Sequence, residues 1–180
     1  IKPNSITAIS GSLGAGKSVL MNLFAGFYEP TLGKILYDKT PFNNINKNIF
    51  RNQIGIYLND VGVIKGTVMQ NIQISNPDVT AEDITKTAEE LGVDNFTEYF
   101  SNGYYTEISE TDSQLSYSSK KMILLLRAFL GKTRLLILED PFEGLNESLK
   151  IKILEYLQKM SSHRNIVMVT KEEDFISRAD

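Results

Sequence analysis

Gly11-Ser12-Leu13-Gly14-Ala15-Gly16-Lys17-Ser18 brings together backbone freedom, a fixed cation and a hydroxyl in one short loop. Gly11, Gly16, Lys17 and Ser18 stand at the spacing of a phosphate-binding loop. The glycines let successive main-chain amides curl inward onto an anion. A helix starting near Lys17 adds the positive end of its dipole. Lys17 offers a point charge to the outer phosphates of a nucleoside triphosphate, and Ser18 offers a hydroxyl to magnesium. The bland alternative is a glycine-rich strand-to-helix turn that binds nothing. An apolar strand from Ser5 to Ser10 precedes the loop and an amphipathic helix follows it, which is the context that phosphate binding requires.

A second group of residues narrows the chemistry. Leu135-Leu136-Ile137-Leu138 is a fully apolar run, and Glu139 and Asp140 follow it directly. An acid at the C-terminal end of a strand faces the ligand crevice of an open α/β sheet. One carboxylate there can join a magnesium shell and the next can orient water. A solvated acidic turn is the competing reading, and the phosphate loop weighs against it.

These residues need a sheet to hold them. Strands are expected at Ser5 to Ser10, Lys34 to Tyr37, Ile54 to Leu58, Leu135 to Leu138 and Ile166 to Val169. The helix from Lys17 to about Ala25 should bury Val19, Leu20, Leu23 and Phe24. Thr80 to Asp83 has a capping-box pattern that predicts a helix to about Leu91, with a shorter one from about Asp94. An apolar helix over Tyr117 to Leu130 should end at Gly131. Asn146 can cap a helix whose apolar face is Leu149, Ile153, Leu157 and Met160. Strands alternating with helices imply a mostly parallel sheet covered on both faces. The stretch 66–120 reads as a helical subdomain inserted in that α/β domain.

Composition limits the alternatives. The chain has 180 residues, 42% of them hydrophobic and 23% charged, which suits one globular domain. A net charge of −3 gives no basic stripe for nucleic acid. With no cysteine and one histidine, His163, disulfides and a zinc site are not expected. His163 reads as a surface residue. No apolar run approaches the ~18 residues that span a bilayer. The chain opens on Ile1-Lys2-Pro3 rather than methionine, so it is expected to be part of a longer protein.

Taken together, the motifs resemble the ATP-binding domain of ABC transporters, exporter type, over nearly the whole chain. Gly11 to Ser18 resembles Walker A, and Leu135 to Asp140 resembles Walker B with the residue after it. Leu115-Ser116 stands at the family's LSGGQ signature, at the family's distance ahead of Glu139, and Arg127-Ala128 falls where that helix usually carries the same pair. Thr106-Glu107-Ile108-Ser109-Glu110 resembles the exporter segment before the signature. The resemblance implies a RecA-like P-loop NTPase fold and binding of ATP with Mg2+. Two such domains would sandwich two ATPs, each between one chain's Walker motifs and the other's signature. The partners implied are a second nucleotide-binding domain and a transmembrane domain, at the cytoplasmic face of a membrane. Residue by residue, it places Ser116 on the partner's ATP. It also makes Asp140 and Lys171 catalytic, and Ser18, Asn59 and Glu139 magnesium-shell residues. The adenine-stacking aromatic is expected upstream of Ile1.

Almost every hydrolysis motif departs from the family pattern. Glu139 replaces the Walker B aspartate and Asp140 the catalytic glutamate. Asn59 replaces the loop glutamine, one methylene shorter, and Lys171 replaces the histidine at the outer phosphate. Lysine brings charge but cannot both donate and accept as a neutral imidazole can. Tyr117 and Ser118 replace both signature glycines. Glu143-Gly144-Leu145-Asn146 ends in asparagine where the family has aspartate. Two readings follow: a transport ATPase, or a binding module that hydrolyses slowly or not at all and serves as the structural or regulatory half of a dimer. A small-molecule kinase or GTPase on the same loop lacks an acceptor-site or guanine-reading motif.

Overall fold

The computed structural model describes residues 1–93, 96, 98, 100–111 and 115–176, excluding the side chains of Glu173 and Asp174. Strand β1 (Ile6–Ile9) leads through the glycine loop into helix α1 (Lys17–Phe24). A hairpin of β2 (Leu36–Tyr37) and β3 (Thr40–Pro41), then helix α2 (Lys47–Arg51), precede β4 (Ile54–Tyr57). Next come β5 (Gly66–Thr67), α3 (Val68–Gln73), α4 (Ala81–Leu91) and β6 (Glu107–Ile108). The chain continues with α5 (Tyr117–Phe129), β7 (Leu135–Glu139), α6 (Glu147–Ser161), β8 (Asn165–Val169) and α7 (Glu173–Ile176).

The long apolar runs pair as one parallel sheet in the order β1-β8-β7-β4. Alternation along each strand divides two cores. Leu136, Leu138, Ile166 and Met168 join α5 and α6 on one face. Ile137, Val167 and Val169 join Met21 and Ala25 of the α1 region on the other. Burial on both faces explains why these strands read as continuous hydrophobic runs. Gly55 lets α5 lie close against β4, since a Cβ there would come 2.6 Å from the Ala128 carbonyl oxygen.

Several expectations need correction. The buried face of α1 is Met21 and Asn22, followed by Ala25, while Val19 is 52% exposed. Leu20 and Phe24 pack only at the margin of that core. The strand expected over 34–37 shrinks to Leu36–Tyr37 and pairs antiparallel with Thr40–Pro41. Asp38 and Lys39 turn the hairpin with φ of 47° and 70°, the twin left-handed geometry of a tight hairpin. Neither residue signals that turn as glycine would. The cap of α2 also escaped notice: the Asn46 side chain accepts from the Asn48 and Ile49 amides. The capping boxes of Thr67 with Gln70 and of Thr80 with Asp83 close as helix starts. The helix expected from Asp94 begins outside the described residues. His163 is exposed.

Candidate functional site

Because β1, β4, β7 and β8 run parallel, their C-terminal ends share one edge of the sheet. The glycine loop leaves β1 there, Asn59 follows β4, Glu139 and Asp140 close β7, and Lys171 follows β8. That edge is where open α/β sheets hold their ligands. The strand register ties the pieces together: Glu139 lies opposite Val169, and the Thr170 amide donates to the Ile9 carbonyl at 3.3 Å.

The glycine loop is built around its own main chain. Gly14 and Gly16 have φ of 79° and 85°, and no atom lies within 4 Å of where a Cβ would stand on either. Gly16 is the N-cap of α1 and lends it no side-chain bond. The first amides of the helix therefore keep their capacity for an external acceptor. The Lys17 ammonium donates to the Gly11 and Ser12 carbonyls at 2.9 and 2.8 Å. Ser12, Leu13, Ala15 and Ser18 are exposed along the same loop. The first amides of the helix, a lysine tip and an accessible hydroxyl suit a triphosphate, while the Ala15 amide closes the loop on the Ser12 carbonyl at 3.2 Å.

Glu139 is 3% exposed, and its Oε2 accepts the Asn59 amide at 3.1 Å. The main chain of Asn59 therefore fixes the carboxylate, while the Asn59 side chain remains exposed. Asp140 is partly buried and adopts φ of 46°, an uncommon left-handed conformation for a residue with a side chain. Burial raises its pKa, and the charges of Glu143 and Glu139 add to that rise. Lys171 and Lys17 pull the other way, so both cations lie within electrostatic reach of Asp140. No cluster of three acid or histidine side chains among the described residues could hold a metal alone. Magnesium usually keeps water and phosphate oxygens among its ligands and needs only one or two carboxylates.

Ser116 lies apart from the Lys17 loop. It caps α5 by accepting the Ser119 amide at 3.0 Å, and its hydroxyl meets that of Ser119 at 2.8 Å. It borders a cleft of about 580 Å³ shared with Gly144 and Asn146. The Tyr117 ring is 62% exposed and packs on Gly144, where a Cβ would come 3.3 Å from its Cε1. Asn146 caps α6 through the Leu149 amide at 2.9 Å. Glu110, in the segment before the signature, pairs with Lys120 and accepts the Val63 amide at 3.1 Å.

Two features of this region were not read from the sequence. Lys121 is 2% exposed, and its ammonium donates to the Asp140 carbonyl at 3.2 Å. The same ammonium sits 5.0 Å from the centre of the Tyr57 ring. Burial lowers its pKa to about 8, against the opposing pull of Glu143 and Asp140. The second is a buried clamp. The Arg127 Nε and Nη1 donate to the Asn71 and Gly62 carbonyls at 2.8 and 2.9 Å, and Nη2 donates to Asn71 Oδ1 at 2.8 Å. A lysine or arginine within the apolar repeat of a helix was the available signal for both.

A parallel sheet with a glycine phosphate loop after one strand and paired acids after another is the P-loop nucleoside-triphosphate-binding architecture. The chain belongs to the ABC transporter family, whose model matches residues 1–143. Membership implies ATP binding. Over its full length the chain is 31% identical to the ABC transporter ATP-binding protein YknV of Bacillus subtilis. It is 31% identical over 99% of its length to a fatty acid ABC transporter ATP-binding/permease protein of Mycobacterium bovis. It is 28% identical over its full length to the β-(1→2)glucan export ATP-binding/permease protein NdvA of Agrobacterium vitis. The chain spans between 28% and 31% of the length of these three relatives. A bacterial Atm1-family ABC exporter solved with ATP bound superposes on the whole chain with a TM-score of 0.89, at 24% identity and over 32% of its own length.

Proposed function

We propose that the chain is the ATP-binding domain of an exporter, holding magnesium ATP in the loop Gly11 to Ser18 and coupling its binding and slow hydrolysis to transport. The observation that carries this is the gathering of Lys17, Glu139, Asp140 and Lys171 at one end of a parallel sheet. Bound magnesium ATP supplies the reactive phosphate and the ion that neutralises it. The loop amides hold the phosphate oxygens. Lys17 trades carbonyl partners for phosphate. Ser18, the fixed carboxylate of Glu139 and Asn59 would hold the ion and its water shell. Asp140 orients the attacking water, and Lys171 places a charge near the outer phosphate.

The pairing follows from Ser116, which borders a cleft away from its own phosphate loop. In this reading it serves ATP held by a second nucleotide-binding domain. The stretch 66–120 forms the helical subdomain that carries the signature toward that partner. Movement passes to a transmembrane domain, with this domain on the cytoplasmic face. The relatives named for fatty acid and glucan handling differ in cargo, so substrate choice is assigned to the membrane-spanning part.

A second reading, a weakly hydrolysing or non-hydrolysing half of a dimer, is favoured by Tyr117. Its ring stands exposed where the family has glycine and restricts the approach of a partner's nucleotide. Calorimetry on the folded full-length protein tests binding: micromolar to millimolar magnesium ATP affinity in the parent and none in Lys17→Ala. A folded parent without affinity refutes it. Single-turnover phosphate release then divides the two readings. A measurable rate abolished by Asp140→Asn supports the ATPase, and no release above that variant supports the binding module. In a heterodimer, Tyr117→Gly should accelerate the partner's site.

A further inference from the structure

Lys121 is the only lysine among the described residues with less than a tenth of its surface exposed, and its ammonium bonds to the acid turn rather than to the phosphate loop. It reaches instead under the acid turn from α5, the helix that Ser116 caps. Asp140 is held there in a conformation it would not choose. Its φ is 46°, and Pro141 follows, which narrows its options further. The main chain is gripped on both sides. The Asp140 amide donates to the Val169 carbonyl at 2.9 Å, and its carbonyl accepts from the Lys121 ammonium and from the Glu143 amide of the same turn, both at 3.2 Å. The direction of the Asp140 carboxylate follows from that main-chain conformation. Returning φ to the ordinary negative range would change the direction in which its Cβ leaves the main chain.

We propose that Lys121 is the positioning residue of the acid turn, its ammonium holding Asp140 left-handed so that the shortened carboxylate addresses the outer phosphate. The Tyr57 ring, 5.0 Å from the ammonium, supplies a second anchor. The same contact joins the signature helix to this chain's own acid turn. The inference rests on the reading of Asp140 as the water-orienting acid.

The test uses the intact gene product with Lys121→Met, Lys121→Arg and Asp140→Asn, measuring kcat and KM for ATP and the melting temperature. Misplacing a reacting group by about 1 Å costs on the order of 100-fold in rate, so Lys121→Met should lower kcat by roughly tenfold to 100-fold. KM should move by less than about threefold, because the nucleotide's own contacts are untouched. The melting temperature should hold or rise, since a buried charge has been removed. Lys121→Arg should recover part of kcat. An unchanged kcat in Lys121→Met refutes the proposal. So does a kcat loss that tracks a lowered melting temperature and is not recovered by arginine. If the parent turns over no faster than Asp140→Asn, the hydrolytic reading fails separately. The crystal structure of Lys121→Met then decides the positioning claim: Asp140 leaving the left-handed region supports it, and Asp140 remaining there refutes it.

Discussion

Asn71 is fully buried, and replacing it with alanine deletes four hydrogen bonds at once. Its side-chain oxygen accepts the Ile64 amide and Arg127 Nη2, both at 2.8 Å. Its side-chain nitrogen donates to the Ile64 and Thr67 carbonyls at 2.9 and 3.0 Å. Arg127 keeps its bonds to the Asn71 and Gly62 carbonyls, so the clamp is cut on one side only. Each orphaned buried group costs ~1–3 kcal/mol, and some recover water at the half-buried Ile64 loop. A net loss of about 4 kcal/mol is expected, a large share of the ~5–15 kcal/mol that stabilises a domain. Urea unfolding followed by circular dichroism measures it as a lower midpoint with an unchanged slope. Asn71→Ala should also loosen the segment after Asn59, seen as faster amide exchange at Val63 and Ile64. A loss below about 1 kcal/mol, with exchange unaltered, would show that the network is not a clamp.

Gly55→Ala should destabilise by about 1–3 kcal/mol, measured by urea unfolding, because its Cβ would meet the Ala128 carbonyl oxygen at 2.6 Å. Asn146→Ala should cost about 1 kcal/mol through loss of the α6 cap, and Asn146→Asp should restore it. Lys121 predicts a pH dependence. Its pKa falls from 10.5 to about 8 on folding, so between those values the unfolded chain binds the extra proton and stability rises with pH. The full difference sets a ceiling of about 3 kcal/mol, and relaxation around the buried ammonium reduces it to on the order of 1 kcal/mol. Denaturant titrations from pH 7.5 to 10 should show that rise in the parent and its absence in Lys121→Met.

The parts of the fold that were legible in the sequence share a cause. β7 and β8 are apolar throughout because both faces of the sheet are covered, so their positions needed no tertiary knowledge. Thr80 with Asp83 and Asn146 with Leu149 announce helix starts through local bonds that the sequence alone specifies. The misread elements depend on long-range partners. Val19 lies on the solvent side of α1 because Met21 and Ala25 are the residues that meet β7 and β8, and helical spacing alone does not choose between adjacent faces. The hairpin at Asp38 and Lys39 uses two left-handed residues without glycine, and its strands are too short to show a period. Lys121 was missed because a lysine in an apolar helix reads as a surface position until the acid turn is placed beneath it.

The proposed contrast between binding and hydrolysis rests on which residues of this chain match the family pattern. Phosphate binding is assigned mainly to main-chain amides whose geometry Gly14, Gly16 and the helix start impose, and those residues match the family pattern. Hydrolysis depends on the reach of individual side chains, and those are the residues that differ. Asp140 and Asn59 are each one methylene short, while Glu139 is one methylene long. In the proposed reading the exchange between Glu139 and Asp140 is partly compensated, since the Asn59 amide draws the longer carboxylate inward at 3.1 Å and Lys121 holds the Asp140 main-chain carbonyl at 3.2 Å. Changing one position alone would therefore restore little. In a Glu139→Asp variant the carboxylate would lose its reach to the Asn59 amide, so stability should fall by ~1–2 kcal/mol before any catalytic gain. Glu139→Asp combined with Asp140→Glu should raise phosphate release above either single change. Rates that are merely additive would show that the two acids act independently, and that the compensation through Asn59 and Lys121 does not exist.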